Sequence, residues 1–307
     1  MSGGGMNNKQ LIFWMMIAMI APIIWGSTYI VTTELLPADK PLIASVLRAL
    51  PAGILLVLLG RKLPQGVWWM RSIVLGLLNI GGFFYCLFVA AYLLPGGVAA
   101  LIMSCQPIIV MLLGALLLKN KLKARQFVAC LIGALGVSLL VLEPNMALPA
   151  AGVQAGLAGA MSMATGIVLT KKWGKPADVS VYTFTGWQLV VGGLFLLPIA
   201  LIQEGFPSAL TVNNLIGYTY LSLIGALVAY VVWFKAIEKL PVVTVSFISF
   251  ASPLSATLLG YLVLGEVLTL SQILGTCVIV LAITISQQQL FNRALASPAT
   301  NKALSKA

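Results

Sequence analysis

Ten apolar stretches, at roughly 11 to 32, 42 to 59, 70 to 93, 96 to 118, 124 to 141, 151 to 171, 180 to 203, 213 to 237, 241 to 264 and 269 to 290, each have the length that carries a helix across a bilayer, about 20 residues. That pattern leaves few ways to fold. Inside hydrocarbon a segment must satisfy its own backbone N–H and C=O groups, so long apolar runs become helices that pack on one another. With 60% hydrophobic and 8% charged residues and a mean hydropathy of +1.05, the chain has too little polar surface to cover a soluble globule. The expected fold class is an all-α integral membrane protein of ten transmembrane helices.

The charges give the direction of each crossing. When the gaps are assigned alternately to two sides, sixteen of the eighteen Lys and Arg fall on the side holding both chain ends. These are Lys9, then Arg61, Lys62 and Arg71, then Lys119, Lys121, Lys123 and Arg125, then Lys171, Lys172 and Lys175, then Lys235 and Lys239, and finally Arg293, Lys302 and Lys306. Only Lys40 and Arg48 fall opposite, with Glu34, Asp39, Glu143, Glu204 and Glu266. Short loops rich in Lys and Arg stay cytoplasmic, so both termini are expected in the cytoplasm. One miscounted span would invert everything after it, so the bias also tests the number of spans.

The net charge of +11 is thereby explained by topology and contact with anionic lipid, and nucleic acid is not an expected partner. Cys86, Cys105, Cys130 and Cys277 lie inside spans with no CxxC pair and no His to complete a ligand set, so neither disulfides nor a metal site is expected, and no cofactor. No catalytic group is expected either, because no His is present and no acid or nucleophile clusters near an interface. No phosphate-cradling GxxxxGK[ST] loop exists. The first span is expected to be retained in the membrane, not removed as a signal peptide. Residues 1–10 read as a cytoplasmic N-terminus whose first five residues are an added extension ahead of Met6, and 291–307 as a disordered cytoplasmic tail.

Compared with itself at an offset of 146 residues, the chain repeats: Pro95 falls on Pro241, Pro107 on Pro253, Leu112 on Leu258, Gly114 on Gly260, Leu118 on Leu264 and Gln126 on Gln272. The copies cover about 11–145 and 146–290. Five crossings per copy is odd, so the second copy enters from the other face and the repeats are inverted. Two antiparallel copies of one fold can open a central site to either side in turn, the arrangement of alternating-access transporters. Gly152, Gly156 and Gly159 form a small-xxx-small row that packs helices within the bundle or joins two chains, so a monomer or weak dimer is expected.

A site between the copies draws on three kinds of residue. Pro107 and Pro253 recur at the repeat offset; placed inside helices they would kink them and free the carbonyls of Met103 and Ser249, beside Gln106 and Ser252. Aromatic rings with a polar tip, Trp25, Tyr29, Tyr85, Trp187 and Tyr230, either line a cavity or anchor the chain at the headgroups. Arg48, well inside the second span, either extends to the interface or holds an anionic group of a substrate. Asn79 either bonds across helices or faces the cavity. No Asp, Glu or His lies deep in any span, which argues against a proton relay and for facilitated movement or exchange.

The stretch from Gly225 through Tyr230 and Trp233 to Ile237, followed by Pro241, Ser252-Pro253 and Gly265-Glu266, resembles the second repeat of EamA-type transporters in the drug/metabolite transporter superfamily. Trp25-Gly26-Ser27, Arg48 and the run from Tyr92 through Pro95 to Gln106-Pro107 resemble the first. The resemblance implies export of amino acids, aromatic ones among them, or of other small metabolites and cationic drugs across the bacterial inner membrane. Proton-coupled export and carriage of nucleotide sugars or sugar phosphates are the alternatives, with a polytopic membrane enzyme behind them.

The topology makes a direct prediction. A membrane-impermeant reagent applied to intact cells should leave a tag at the C-terminus unmodified; modification there would invert the assignment of every loop.

Overall fold

The computed structural model describes residues 8–37, 40–93, 102–103, 105–121, 123–141, 149–207, 209–265 and 269–295. Among these, all regular structure is helical. The helices are α1 (Asn8–Leu35), α2 (Pro41–Gly60), α3 (Trp68–Gly76), α4 (Gly82–Leu93), α5 (Gln106–Leu118), α6 (Ala124–Val141), α7 (Ala150–Trp173), α8 (Val181–Gln203), α9 (Val212–Ser222), α10 (Ala229–Lys239), α11 (Val242–Ile248), α12 (Ala251–Leu264) and α13 (Leu270–Leu295). Among the described residues, seven stretches are long and apolar enough to cross a bilayer: Gln10–Thr32, Pro41–Gly60, Trp68–Ala90, Ala150–Trp173, Val181–Gln203, Val212–Lys239 and Val242–Val263. Three shorter apolar helices, Gln106–Leu118, Ala124–Leu139 and Leu270–Ser286, occupy the remaining expected positions. The last helix runs to Leu295, past the expected end of its span.

Two of the crossings are continuous rods with a flaw. A π-helical turn at Leu77–Gly81 joins α3 to α4, and another at Leu223–Val228 joins α9 to α10. Residues 77 and 223 are separated by the sequence offset, so the wide turn belongs to the repeat. Such turns leave a carbonyl out of the helical ladder, and in an apolar surrounding that carbonyl needs another donor.

Packing follows the repeat too. Helix α2 lies along α8 and α6 along α13; α1 packs on α12 and α10, while α7 packs on α5 and α4. Small residues allow the close approaches. At Gly186 an added Cβ would stand 2.8 Å from the Leu56 Cβ and 3.0 Å from the Val57 backbone nitrogen, so α8 meets α2 backbone to backbone. Gly156 and Gly159 face Ile102 and Met103, which assigns part of the glycine row of α7 to packing inside the bundle. All four cysteines are free.

The ends of the bundle are tied by polar contacts. At one end Lys62 Nζ reaches the Asp178 carboxylate at 2.9 Å, and this hydrogen bond holds the Asp178 carboxyl below its ordinary value. Lys171 Nζ donates to the carbonyls of Ile237, Glu238 and Leu240, closing the C-terminus of α10 with a cation. At the other end the Glu204 carboxylate accepts from Leu42 N at 2.8 Å and Ile43 N at 2.9 Å. It caps α2, whose own flanking residue contributes no side-chain cap.

The prolines correct the sequence reading. Pro107 is the second residue of α5, and Pro253 the third of α12, which restarts after a turn at Ser249 and Phe250. Both therefore sit in the first turn of a helix, where the missing N–H costs nothing. The Ser249 carbonyl is not freed, since it accepts from Ser252 N at 3.0 Å.

The α2–α8 contact yields a test. Gly186→Ala should destabilise the detergent-solubilised protein by about 1–3 kcal/mol through overpacking against backbone, read as a lowered melting temperature. Leu201→Ala, on an exposed side of α8, should leave it unchanged.

Candidate functional site

The two wide turns gather the polar groups of the bundle. At the first, the Gly82 N–H bonds to the Leu77 carbonyl and skips that of Leu78. Ser162 Oγ, from α7, donates to Leu78 O at 2.9 Å. At the second, the Ala229 N–H bonds to the carbonyls of Ile224 and Ala226 and skips Gly225. Trp25 Nε1, from α1, donates to Gly225 O at 3.2 Å, and Arg48 Nη2, from α2, at 3.0 Å. Each skipped carbonyl is thus satisfied by the first helix of the opposite half.

The two nodes differ in access. Around the first, Asn79 is wholly buried, and its Nδ2 donates to Gln188 Oε1 at 2.8 Å and Thr170 Oγ1 at 3.1 Å. Around the second, Trp25 and Arg48 stand on the wall of a cavity of about 320 Å³. Its sides come from α1, α2, α4, α9 and α10, from Met103 and Gln106, from Val137 and Met163, and from Ser249 to Pro253. Nearer the Lys171 end, Ile167, Val168, Phe234, Ile237 and Leu240 are packed in the core, each at most 2% exposed.

Most of the wall is aromatic. Trp25 lies 5.1 Å from the rings of both Tyr230 and Trp233, and Phe84 packs on Tyr230 at 6.3 Å. The Arg48 guanidinium carbon sits 5.2 Å from the centre of the Phe84 ring, within cation–π range. Arg48 is 9% exposed and turns into the bundle. Of the two expectations for it, extension to the headgroups is therefore not what the fold adopts. Among the described lining residues Arg48 is the one ionised side chain, and none is acidic. Two further wall groups, Thr28 Oγ1 and Trp233 Nε1, are buried without a hydrogen-bond partner. Such a surface can enclose a flat apolar body and set an anionic group against the guanidinium.

The Trp25-Gly26-Ser27 run acquires a physical reading here. Trp25 holds Gly225 O; an added Cβ on Gly26 would come within 2.7 Å of Ser252 O. Ser27 Oγ pairs with Tyr220 OH at 2.6 Å. All three join α1 to the second half of the chain.

Of the residues singled out from sequence, Trp25, Arg48, Met103, Gln106, Tyr230, Ser249, Ser252 and Pro253 line the cavity. Four do not. Asn79 is consumed by the closed node; Trp187 is 3% exposed and donates from Nε1 to Lys62 O at 2.9 Å, toward the basic end. Tyr85 packs against the core beside the cavity, and Pro107 is buried behind Gln106. The Tyr29 side chain lies outside the described residues. Sequence reasoning missed Phe84, Phe88 and Phe250, which have no polar tip to mark them, and the Gly225 carbonyl. The offset that places Phe84 opposite Tyr230 was the available signal.

Comparisons with known proteins bear on the family and the fold. A family model described as EamA-like transporter family matches residues 12–142 and again 150–287. Protein PecM of Dickeya dadantii is 50% identical, over 90% of this chain and 93% of its own. A probable amino-acid metabolite efflux pump of Salmonella typhimurium is 24% identical, over 88% of this chain and 93% of its own. A crystal structure 20% identical in sequence superposes with a TM-score of 0.76, covering 90% of this chain and 98% of that one, and so shares the fold.

The node at Gly225 predicts a stability effect. Trp25→Phe keeps a ring but deletes the donor to Gly225 O, and should cost about 0.6–1.7 kcal/mol, the scale of hydrogen bonds within membranes. A melting curve of the variant unchanged from the parent would contradict the role given to this bond.

Proposed function

The chain belongs to the EamA-like transporter family, and from that membership we propose that it exports amino acids, aromatic ones foremost, and related small metabolites across the bacterial inner membrane by alternating access. The observation that carries the proposal is the shared cavity: an aromatic enclosure with one guanidinium, walled by helices of both halves. It suits the ring and the carboxylate of an aromatic amino acid. The name of the Salmonella relative is in keeping with such cargo.

The mechanism proposed uses ten helices in two inverted copies, with both termini cytoplasmic. Several features support it. The family model matches twice, the wide turns recur at the repeat offset, and the helix packing mirrors itself between halves. The positive charges of the loops supply the orientation. At the basic end Ile167, Val168, Phe234, Ile237 and Leu240 are buried, and Lys171 ties α7 to the C-terminus of α10 there. Movement of the cavity opening would require that packing to part.

Coupling is proposed to be facilitated diffusion or exchange. Among the described acids, Glu34, Glu204 and Glu238 sit at helix ends and none faces the cavity, so a carboxylate proton relay has no member at the site. Nucleotide sugars and sugar phosphates fit less well, because several cations would be needed to offset their charge. A fixed cationic drug would meet the guanidinium directly.

Uptake into vesicles holding the purified protein tests the reading. Labelled aromatic amino acids should enter faster than aliphatic or acidic ones, equally with and without an imposed pH gradient; strict dependence on the gradient would overturn the coupling. Arg48→Gln should slow that uptake by about ten- to a hundredfold, as expected when a charged hydrogen bond worth about 1.5–3 kcal/mol is lost. Unchanged uptake would remove Arg48 from the site.

A further inference from the structure

We propose that the cavity recognises an aromatic body and one carboxylate and has no use for a free ammonium, so that deaminated aromatic acids are bound and moved at least as well as the corresponding amino acids. The inference rests on the reading of this cavity as the cargo site, and it names what that site demands of its cargo.

An ammonium leaving water needs acceptors, and a carboxylate beside it is the strongest. None of the described lining residues is acidic. Two backbone carbonyls beside the cavity, those of Gly225 and Ser249, are occupied. Gly225 O receives both Trp25 Nε1 and Arg48 Nη2, which use its two lone pairs. Ser249 O receives Ser252 N. The Ser45 and Ser249 hydroxyls already donate to Pro41 O and Ser246 O, leaving lone pairs that offer an ammonium only neutral, single contacts.

The aromatic rings do not replace an acid. A cation seated on the Trp25, Tyr230 and Trp233 cluster would lie in the field of Arg48, whose guanidinium already covers Phe84. In this low-dielectric enclosure like charges repel more strongly than a ring attracts a cation. For a carboxylate the same field is attractive. The partnerless Trp233 Nε1 on the wall, which can only donate, also favours an acceptor-rich ligand, while the Thr28 hydroxyl can serve either charge. The enclosure therefore takes negative charge and flat apolar surface together, and a zwitterion enters in spite of its ammonium.

The test compares three ligands that differ by one group: 3-phenylpropionate, L-phenylalanine and 2-phenylethylamine. The full-length protein in lipid nanodiscs is titrated with each, following ligand-induced shift in melting temperature, and vesicle uptake is measured in parallel. The expected order is phenylpropionate equal to or tighter than phenylalanine, and phenylethylamine at least tenfold weaker. Arg48→Gln should remove the advantage of phenylpropionate over phenylethylamine, and Arg48→Lys, which keeps the charge, should restore much of it. Phenylpropionate at least tenfold weaker than phenylalanine would overturn this inference while leaving the cavity as the cargo site. If the folded protein neither binds nor moves any of the three, the reading of the cavity falls and this inference falls with it.

Discussion

A helix inside a membrane has no water to bond a carbonyl that its own ladder skips, and this chain skips one at Gly225. The penalty for an unbonded backbone group in hydrocarbon is several kcal/mol, so a π turn there demands a donor from elsewhere. Trp25 and Arg48 supply it from the first half of the chain. Much of the site follows from that one requirement. The tryptophan ring is held against Tyr230 and Trp233, and the arginine is drawn inward over Phe84, away from the headgroups. A charged side chain in a span is thereby positioned by a backbone irregularity on a different helix.

The counterpart at Leu78 shows what the same device looks like without access. Ser162 satisfies the skipped carbonyl, and Asn79, Gln188 and Thr170 bond among themselves in a fully packed region. One copy of the repeat uses its polar groups to glue three helices. The other turns them toward a cavity. Duplication supplied the geometry twice, and the substitutions at a few positions, Gly225 where the first copy has Asn79, separated a structural node from one that faces a ligand-sized space.

How far the sequence could be read varied with the physics behind each feature. Span positions were legible because apolar length is set by bilayer thickness, and the seven long crossings lie close to the expected limits. The crossings expected at 96 to 118 and 241 to 264 were harder. Val242–Val263 is interrupted at Ser249 and Phe250, and its proline starts a helix where one mid-helix was anticipated. Leu77–Gly81 and Leu223–Val228 are ordinary helix-forming sequence, so only the backbone hydrogen bonds reveal the wide turns. Arg48 was visible as a charge within a span, but which way it turned depended on a carbonyl on α9–α10. Asn79 and Trp187 were left open for a related reason: a polar group in a span must find a partner, and spacing alone does not say whether that partner is a ligand or another helix.

The account stands on two halves that share a cavity and expose it to each side in turn. The most direct measurement places a single cysteine on the cavity wall, Thr28→Cys, in a chain otherwise lacking Cys86, Cys105, Cys130 and Cys277, and applies a membrane-impermeant thiol reagent to intact cells and to inverted membrane vesicles. The account predicts modification from both sides, with the balance shifted by an aromatic cargo. Modification from one side alone, whatever cargo is present, would contradict it.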